Sequence, residues 1–344
     1  MKKHYLLLLL LVLPMFSMVA QEAKFKAVFT LNFIRYIGWP ESSLQGDFVI
    51  GVVRDREIAD WIRNQSEGKK FGFQDCGISK AVFLEDDARF LEEYLEKGYH
   101  GEMQYMENHF DKRLDPRQLV EGSKSVISLS YNYFPEEKIE TLDNFKISKY
   151  AYGEDYHDVI KELLREMVSE LKEEIGDFQC RVFTDSAPIM ERSWGNRSGI
   201  GWIGKNANLI TKNKGSFFFL AEIICDLELE QDAPATDHCG TCTRCIDACP
   251  TNAIVDAKII NGSQCISYAT IELKNEIPES FSEKMEDWMF GCDICQDVCP
   301  WNRFSLPHQQ PRFAPNGFLK THRKKEWKEL SQDLFSEIFR KSPV

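Results

Sequence analysis

The sequence predicts a mixed α/β or α+β domain followed by a smaller domain rich in cysteine. Residues 70–235 alternate strand-like runs, such as SVISLSYNYF and SFFFLAEIIC, with helical runs such as DYHDVIKELLREMVSELKEEIG. Eight of the eleven cysteines then fall between residues 239 and 299. A chain of 344 residues with 43% apolar content is long enough to bury the cores of two or three domains.

The chain opens with the pattern of a secretory signal over residues 1–22. MKKHYLLLLLLVLPMFSMVAQ has a basic start, an apolar run from Tyr5 to about Phe16, and small residues near Ala20. The following stretch, KFKAVFTLNFIRYIGWPESSLQGDFVIGVV, resembles the opening of the YfiR-like periplasmic domains over residues 23–53. We interpret this opening as a fusion or a misjoined reading frame. A genuine exported extension is the alternative.

A separate globular unit is predicted to begin at residue 55. DREIADWIRNQSEGKKFGFQDCGISKA reads as an amphipathic helix, a turn and a strand. The domain that follows, predicted over 55–235, has no G-x-G-x-x-G after a strand and no Walker lysine loop, so neither a dinucleotide site nor an NTPase is indicated. The glycines of WGNRSGIGWIGKNANLI either bring backbone amides close to a large cofactor or form turns.

The clustered cysteines have the spacing of ligands to two [4Fe-4S] clusters. The first four follow the bacterial ferredoxin pattern C-x2-C-x2-C-x3-C-P, whose fourth cysteine ligates the other cluster. The later group, C-x2-C-x3-C-P, lacks a first member, and Cys265 takes that place. The predicted ligand sets are Cys239, Cys242, Cys245 and Cys299 for one cluster, and Cys249, Cys265, Cys292 and Cys295 for the other.

Structural zinc is the competing interpretation, because paired C-x2-C motifs also build tetrahedral zinc sites. The two C-x3-C-P endings favour iron–sulfur clusters, so we predict a ferredoxin-like domain over 236–305 and a C-terminal tail over 306–344. The remaining thiols, Cys76, Cys180 and Cys225, are scattered among apolar residues and are predicted to be reduced core cysteines.

The charge balance limits the possible partners. The chain has 42 Lys and Arg against 54 Asp and Glu, a net charge of −12, which argues against a general DNA-binding protein. A nucleic-acid partner would therefore have to meet a local basic patch. The run KTHRKKEWKEL near the C-terminus is one candidate, although a charged helix face is the commoner explanation for such a run.

Several motifs together resemble the epoxyqueuosine reductases, the QueG family. They are GYHGEMQYMENHFDKRLDPRQLVEGSKSVISLSYNYFP, YAYGEDYHDVIKELL, FTDSAPIMERSWGNRSGIGWIGKNANLI, CGTCTRCIDACPTNAI, CISY and GCDICQDVCPWNRF. The resemblance covers residues 55 to 330. It implies that the 55–235 domain binds cobalamin, that two [4Fe-4S] clusters follow, and that the enzyme reduces epoxyqueuosine to queuosine in the anticodon wobble position of tRNA.

The resemblance also implies roles for individual residues. Asp185 in FTDS matches the family's proton donor and is expected to have a pKa raised by burial; a local alternative is that it caps the following helix. The predicted cobalamin contacts are Asp185, Arg113, Lys205, Leu209, Leu220, Ser267 and Asp293. In GEDYH, Asp155 is predicted to be a helix N-cap and His157 a satisfied polar residue. Glu191 is predicted to be a solvated or packing residue.

Two other functions compete with this interpretation. A corrinoid reductive dehalogenase shares the plan of cobalamin plus two clusters and is exported, but a folded cluster protein would need a twin-arginine signal, which MKKHY lacks. A ferredoxin-like electron carrier would not need so large an α/β body. We therefore expect a cytoplasmic monomer that acts on tRNA and takes electrons from a low-potential donor, without DNA binding or stable membrane association.

Overall fold

The computed structural model describes residues 55–67, 71–137, 139 and 143–344. The predicted signal and YfiR-like segment therefore lie outside the described residues. The helices are α1 (Asp55–Glu67), α2 (Glu85–Glu96), α3 (Phe110–Leu114), α4 (Tyr156–Ile175), α5 (Glu191–Arg197), α6 (Arg244–Asp247), α7 (Ile266–Ile271), α8 (Ile294–Asp297), α9 (Gly317–Thr321), α10 (Lys324–Lys328) and α11 (Gln332–Ile338). The strands are β1 (Asp75–Lys80), β2 (Ser125–Asn132), β3 (Lys146–Ile147), β4 (Cys180–Phe183), β5 (Trp202–Ile203), β6 (Leu209–Ile210), β7 (Phe218–Cys225), β8 (Ile254–Asp256), β9 (Ile259–Ile260) and β10 (Trp288–Phe290).

A four-stranded sheet in the order β1-β2-β7-β4 forms the centre of the larger domain, and every neighbouring pair is antiparallel. Of the two fold classes predicted, this sheet belongs to α+β. The long central strands pair from Ser125 opposite Cys225 to Asn132 opposite Phe218. Because side chains alternate along a strand, the sheet presents two apolar faces. One face packs with α1 and α4, and the other with α2 and α5.

Helix α4 forms one wall of the core and places two polar residues at its start. Its buried residues recur at helical spacing, which gives the helix an apolar stripe toward the sheet. The Asp155 carboxylate caps the helix by accepting the His157 backbone N–H at 2.9 Å, which confirms the predicted N-cap. The chain leaves the helix at Gly176, whose φ of 93° suits glycine.

The cysteine-rich part is joined to the sheet domain by shared strands. Strand β10 runs parallel to β3, with Trp288 opposite Lys146, and the Ser148 N–H donates to the Phe290 carbonyl at 2.8 Å. Residues 306–344, predicted as a tail, fold into α9–α11 and bury Trp327 and other apolar side chains against the β3 region. Among the described residues, no helix is long and apolar enough to cross a membrane.

The three scattered thiols lie in or beside the main core, as predicted. Cys225 is fully buried on β7 and burial raises its pKa to about 12, while Cys76 and Cys180 are half-buried against the same core. Cysteine thiols in such surroundings behave as small apolar side chains.

Candidate active site and cluster sites

A cavity of about 1480 Å³ lies between the sheet domain and the cysteine-rich part. It exceeds the range of roughly 300–1,000 Å³ that is usual for small-molecule sites, so it suits a large ligand. Many aromatic side chains contribute to its walls. The aromatic lining residues are Phe90, Tyr94, Tyr99, Tyr105, Tyr133, Tyr150, Tyr156, Trp202, Phe218, Phe219 and Tyr268.

Asp185 lies on the cavity wall just after β4, in a left-handed backbone conformation with φ of 52°. Its side chain is 60% exposed. The Tyr156 hydroxyl donates to Asp185 Oδ2 at 2.8 Å, and His157 Nε2 lies 3.1 Å from the same oxygen. Helix α5 begins only at Glu191, with Met190 as its N-cap residue, so Asp185 does not cap it.

The charge state of Asp185 differs from the sequence expectation. The hydrogen bond from His157 is the largest influence and lowers the pKa of Asp185 below its ordinary value, although burial acts to raise it. Burial alone would lower the pKa of His157, but its hydrogen bonds to Asp185 and Asp155 outweigh burial and raise it. The expected raised pKa of Asp185 is therefore wrong for this arrangement. The contact between the two side chains therefore favours a proton on the imidazole over one on the carboxylate.

His157 is satisfied at both ring nitrogens, as predicted, but it also belongs to the site. Its Nδ1 lies 2.7 Å from Asp155 Oδ1, so the three side chains form a hydrogen-bonded chain that ends in the cavity. The spacing of the GEDYH motif brings Asp155 and His157 together at the start of α4. The third partner, Asp185, is 28 residues away in sequence, and the sheet brings it close.

Glu191 is not the solvated or packing residue that was predicted. It lines the cavity, and its Oε1 accepts the backbone N–H of Asp185. Burial of the carboxyl and the negative charge of Asp185 raise the pKa of Glu191 to about 8. Glu191 is therefore largely neutral near pH 7.

Four of the other predicted cobalamin contacts line the cavity: Arg113, Leu209, Leu220 and Ser267. Arg113 is 8% exposed and donates from Nη2 to the Tyr105 carbonyl at 2.8 Å. Its Nε is buried without a hydrogen-bond partner among the described residues. A buried N–H donor is costly unless a ligand supplies an acceptor.

Two predicted contacts, Lys205 and Asp293, do not line the cavity. Lys205 Nζ donates to the Gly240 carbonyl at 2.8 Å, beside the first cysteine group. Asp293 is 2% exposed and accepts from Lys149, at 2.9 Å from the backbone N–H and 3.2 Å from Nζ. Both residues therefore join the cysteine-rich part to the sheet domain, and the predicted direct contacts with cobalamin have no counterpart in the cavity lining.

The glycine-rich stretch serves packing and a turn. A Cβ on Gly195 would lie 2.6 Å from Leu209 Cδ2, and one on Gly201 would lie 2.3 Å from the Ile210 carbonyl oxygen. Gly199 has a φ of 80°, which a side chain would strain. These glycines let α5 and β5 approach β6, which supports the cavity wall at Leu209.

The first predicted ligand set comes together around a second, smaller cavity. Its lining contains all four predicted cysteines together with Lys205 and Trp301. The Trp202 Nε1–H donates to Cys239 Sγ at 3.4 Å. The donors of this cavity are Cys239, Cys242, Cys245 and Cys299.

The second set is more deeply buried and reaches the main cavity through Cys265. Burial, together with the neighbouring thiols Cys265 and Cys249, raises the pKa of the Cys292 thiol to about 12. Burial also raises the pKa of Cys295, and the neighbouring thiols Cys265 and Cys292 act in the same direction. Such thiols become thiolates only beside a positive centre such as iron. The fourfold sulfur donor sets therefore fit clusters.

No three His, Cys, Asp or Glu side chains within the described ranges are spaced to hold a single metal ion. A cubane needs a wider arrangement, because each thiolate binds a different iron atom.

Known protein families match three parts of the chain. A family model described as "Epoxyqueuosine reductase QueG, DUF1730" matches residues 113–186, and one described as a 4Fe-4S double cluster binding domain matches residues 238–302. A third, YfiR/HmsC-like, matches residues 23–88.

Comparison with curated proteins decides the family. The epoxyqueuosine reductase of Cellulophaga algicola is 58% identical over 280 residues, which cover 81% of this chain and 91% of the relative. The chain belongs to the epoxyqueuosine reductase family. This confirms the resemblance found in the sequence and disfavours the dehalogenase and electron-carrier alternatives.

Solved epoxyqueuosine reductases share the architecture of this family member. The Streptococcus thermophilus enzyme is 28% identical with a TM-score of 0.73, and the match covers 81% of this chain and 75% of that one. A crystal structure of an epoxyqueuosine reductase with an epoxyqueuosine-modified tRNA-Tyr stem loop is 29% identical with a TM-score of 0.73, over 83% of this chain and 75% of that chain.

The YfiR-like match reaches further into this chain than the sequence resemblance, which ends near Val53. It extends to residue 88 and so includes α1 and β1. Both elements contribute buried side chains, such as Ile62 and Ile78, to the main core of the sheet domain. The domain boundary at residue 55 stays a prediction.

Proposed function

We propose that the protein reduces epoxyqueuosine to queuosine in the anticodon wobble position of tRNA, using cobalamin and two [4Fe-4S] clusters. One observation carries this proposal: a thiol of the second cysteine set, Cys265, lines the same cavity as Asp185. A source of electrons and a source of protons therefore face one space that is large enough for a cofactor and a nucleoside.

The cavity is the proposed cobalamin site. Its volume and aromatic walls suit a broad, flat ring system, and Arg113 Nε offers a buried donor to a peripheral amide. Leu209, Leu220 and Ser267 would complete the contacts. When bound, a reduced corrinoid supplies a nucleophile or a one-electron donor to the epoxide carbon.

Electrons are proposed to enter at the first cysteine set and to leave from the second. The first set lines its own small cavity beside Trp301, while the second reaches the main cavity through Cys265. Helices α6 and α8, which carry Cys245 of the first set and Cys295 of the second, pack against each other. A low-potential donor would deliver electrons singly to the first cluster.

Asp185 and His157 are proposed to deliver a proton to the epoxide oxygen. The imidazole holds the proton and Asp185, which faces the cavity, passes it on. Tyr156, held by stacking on Phe219 at 4.0 Å, fixes the carboxylate with its hydroxyl. The general acid is then the hydrogen-bonded pair rather than a buried neutral aspartic acid.

The tRNA is proposed to approach the open side of Asp185, where two cations supply the local basic patch that an acidic chain needs. Lys161 Nζ donates to Ser186 Oγ at 2.8 Å, and Arg192 Nη1 donates to the Ala207 carbonyl at 2.7 Å. Both therefore stand beside Asp185, where they can attract phosphate. We further propose that the protein works as a monomer in the cytoplasm.

Anaerobic reconstitution tests the function. Protein with iron, sulfide and cobalamin is incubated with a chemical reductant and tRNA that carries epoxyqueuosine, and the nucleosides are analysed by mass. We expect conversion to a nucleoside that has lost one oxygen atom, and no conversion when cobalamin is left out. Unchanged tRNA from a protein that holds cobalamin and both clusters would contradict the proposal.

A further inference from the structure

Epoxide reduction requires more protons than the Asp185 and His157 pair carries. Both C–O bonds of the epoxide break, a carbon–carbon double bond forms, and the oxygen leaves as water, so the reaction consumes two electrons and two protons. The clusters and cobalamin of the proposed function supply the electrons. In the proposed function, the hydrogen-bonded pair of His157 and Asp185 supplies one proton. A second proton must come from elsewhere.

Glu222 is a buried acid that the steps above do not use. It lies in the middle of β7 and is 0% exposed, and neither of its carboxyl oxygens has a hydrogen-bond partner among the described residues. Its strand neighbours are Ser128 on β2 and Phe183 on β4. A buried carboxyl group without hydrogen bonds lowers the stability of a folded protein, so a structural role does not explain Glu222.

Glu222 lies on the sheet face that leads toward the cavity. Side chains alternate along β7, so Glu222 shares its face with Leu220, which lines the cavity, and Ile224, which packs with α5 residue Trp194. Helix α5 begins at Glu191, also in the cavity wall. The acid is therefore placed behind the wall that carries Glu191.

The groups facing Glu222 favour its neutral form. Burial raises its pKa well above the ordinary value, and the negative charges of Glu191 and Asp185 raise it further. The residues directly opposite it in the sheet are Ser128 on β2 and the apolar Phe183 on β4. Ser128 Oγ also lacks a hydrogen-bond partner within the described part of the chain. These polar atoms are the partners that a bridging buried water needs.

We propose that Glu191 and Glu222 form a proton store at the cavity wall. Glu191, which lines the cavity, donates the second proton of epoxide reduction, and Glu222, which lies behind the wall, then reprotonates Glu191. This inference rests on the proposed function. Glu191 is placed for the transfer because it lines the cavity and accepts the Asp185 backbone N–H. Glu222 acts through Glu191.

The test compares the reconstituted holoenzyme with Glu222→Gln and Glu191→Gln. Glutamine keeps the shape of a neutral carboxylic acid but cannot give up a proton. The matched control is Asp75→Asn, which changes a carboxylate on β1 of the same sheet that pairs with Lys214 at 2.6 Å. Iron, cobalamin content, reduction of the cofactors, and single-turnover rates in H₂O and D₂O are measured for each.

We expect both Gln variants to load and reduce their cofactors normally but to form product about 10²-fold more slowly, with a changed solvent isotope effect. The infrared difference between wild type and Glu222→Gln at neutral pH should show a protonated carboxyl band. Asp75→Asn should keep the wild-type isotope effect, whatever stability it loses.

Wild-type turnover and isotope effects in Glu222→Gln would overturn the inference while leaving the reductase function intact. A wild-type holoenzyme that does not convert the tRNA would instead overturn the function. If Glu222→Gln fails to fold, Glu191→Gln tests the same path. The wild-type infrared spectrum tests the proposal without a variant. Absence of a band from a protonated carboxyl group at neutral pH would contradict the proposed proton store.

Discussion

The two cysteine groups use the same residue type in different surroundings. The first lines a small cavity of its own, with an indole N–H pointing at one sulfur. The second has more deeply buried thiols and reaches the large cavity through Cys265. This difference supports the proposed direction, in which electrons are received at the first group and delivered from the second. The following predictions test that division.

Loss of the second cluster should have the largest effect. Cys265→Ser removes the ligand that touches the cavity, so we expect about half the wild-type iron and no measurable turnover, even with a strong chemical reductant. Iron analysis and nucleoside mass analysis measure both. The control is Cys180→Ser, a core thiol that should keep the full iron content. Turnover by a Cys265→Ser protein that lacks the second cluster would break the proposed direction.

Asp185→Asn should leave both clusters in place but block proton transfer to the epoxide oxygen. We expect turnover to fall about 10²–10⁴-fold, because the amide cannot pass on a proton from His157. Cobalamin content and the electron paramagnetic resonance signals of both clusters should match wild type. Normal turnover in a fully loaded Asp185→Asn protein would remove Asp185 from the mechanism.

Loss of the first cluster should be partly reversible. Cys242→Ser removes a ligand of the set that lies away from the cavity, so electrons from a protein donor should no longer arrive. A small, strong reductant that reaches the second cluster directly should restore part of the turnover. Equal loss in Cys242→Ser and Cys265→Ser, with no rescue in either, would show that the two groups do not differ in this way.

The grouping of the first ligand set could be predicted from sequence because the ferredoxin spacing is typical of a cluster whose fourth ligand comes from the other cysteine group. The positions of Arg113, Leu209, Leu220 and Ser267 followed from family resemblance. Sequence could not pair β4 with β7, since antiparallel partners far apart in the chain leave no local signal. The one available signal for Glu222 was a lone acid within the apolar strand FFLAEIIC.

The pH dependence of turnover should report His157. Its pKa is raised, so its proton is present below that pKa, and turnover should fall as the pH rises through it. In His157→Gln the proton must sit on Asp185, an intrinsically stronger acid, so the fall should begin at lower pH. Asp155→Asn, which can still cap α4, should shift the profile less in the same direction. Coinciding profiles for wild type and His157→Gln would contradict the shared proton.

The smallest effect is expected at the indole that donates a hydrogen bond to the first cysteine group. Trp202→Phe keeps a ring against Trp301 but removes the N–H that donates to Cys239 Sγ. Because such bonds stabilise the more negative, reduced cluster, the first cluster's potential should fall by about 40 mV per kcal/mol of lost differential energy. Redox titration followed by electron paramagnetic resonance measures this. The control is Trp288→Phe. The Trp288 Nε1 has no hydrogen-bond partner among the described residues, so this change should leave the potential of the first cluster unchanged. An unchanged first-cluster potential in Trp202→Phe would show that this contact does not distinguish the two groups.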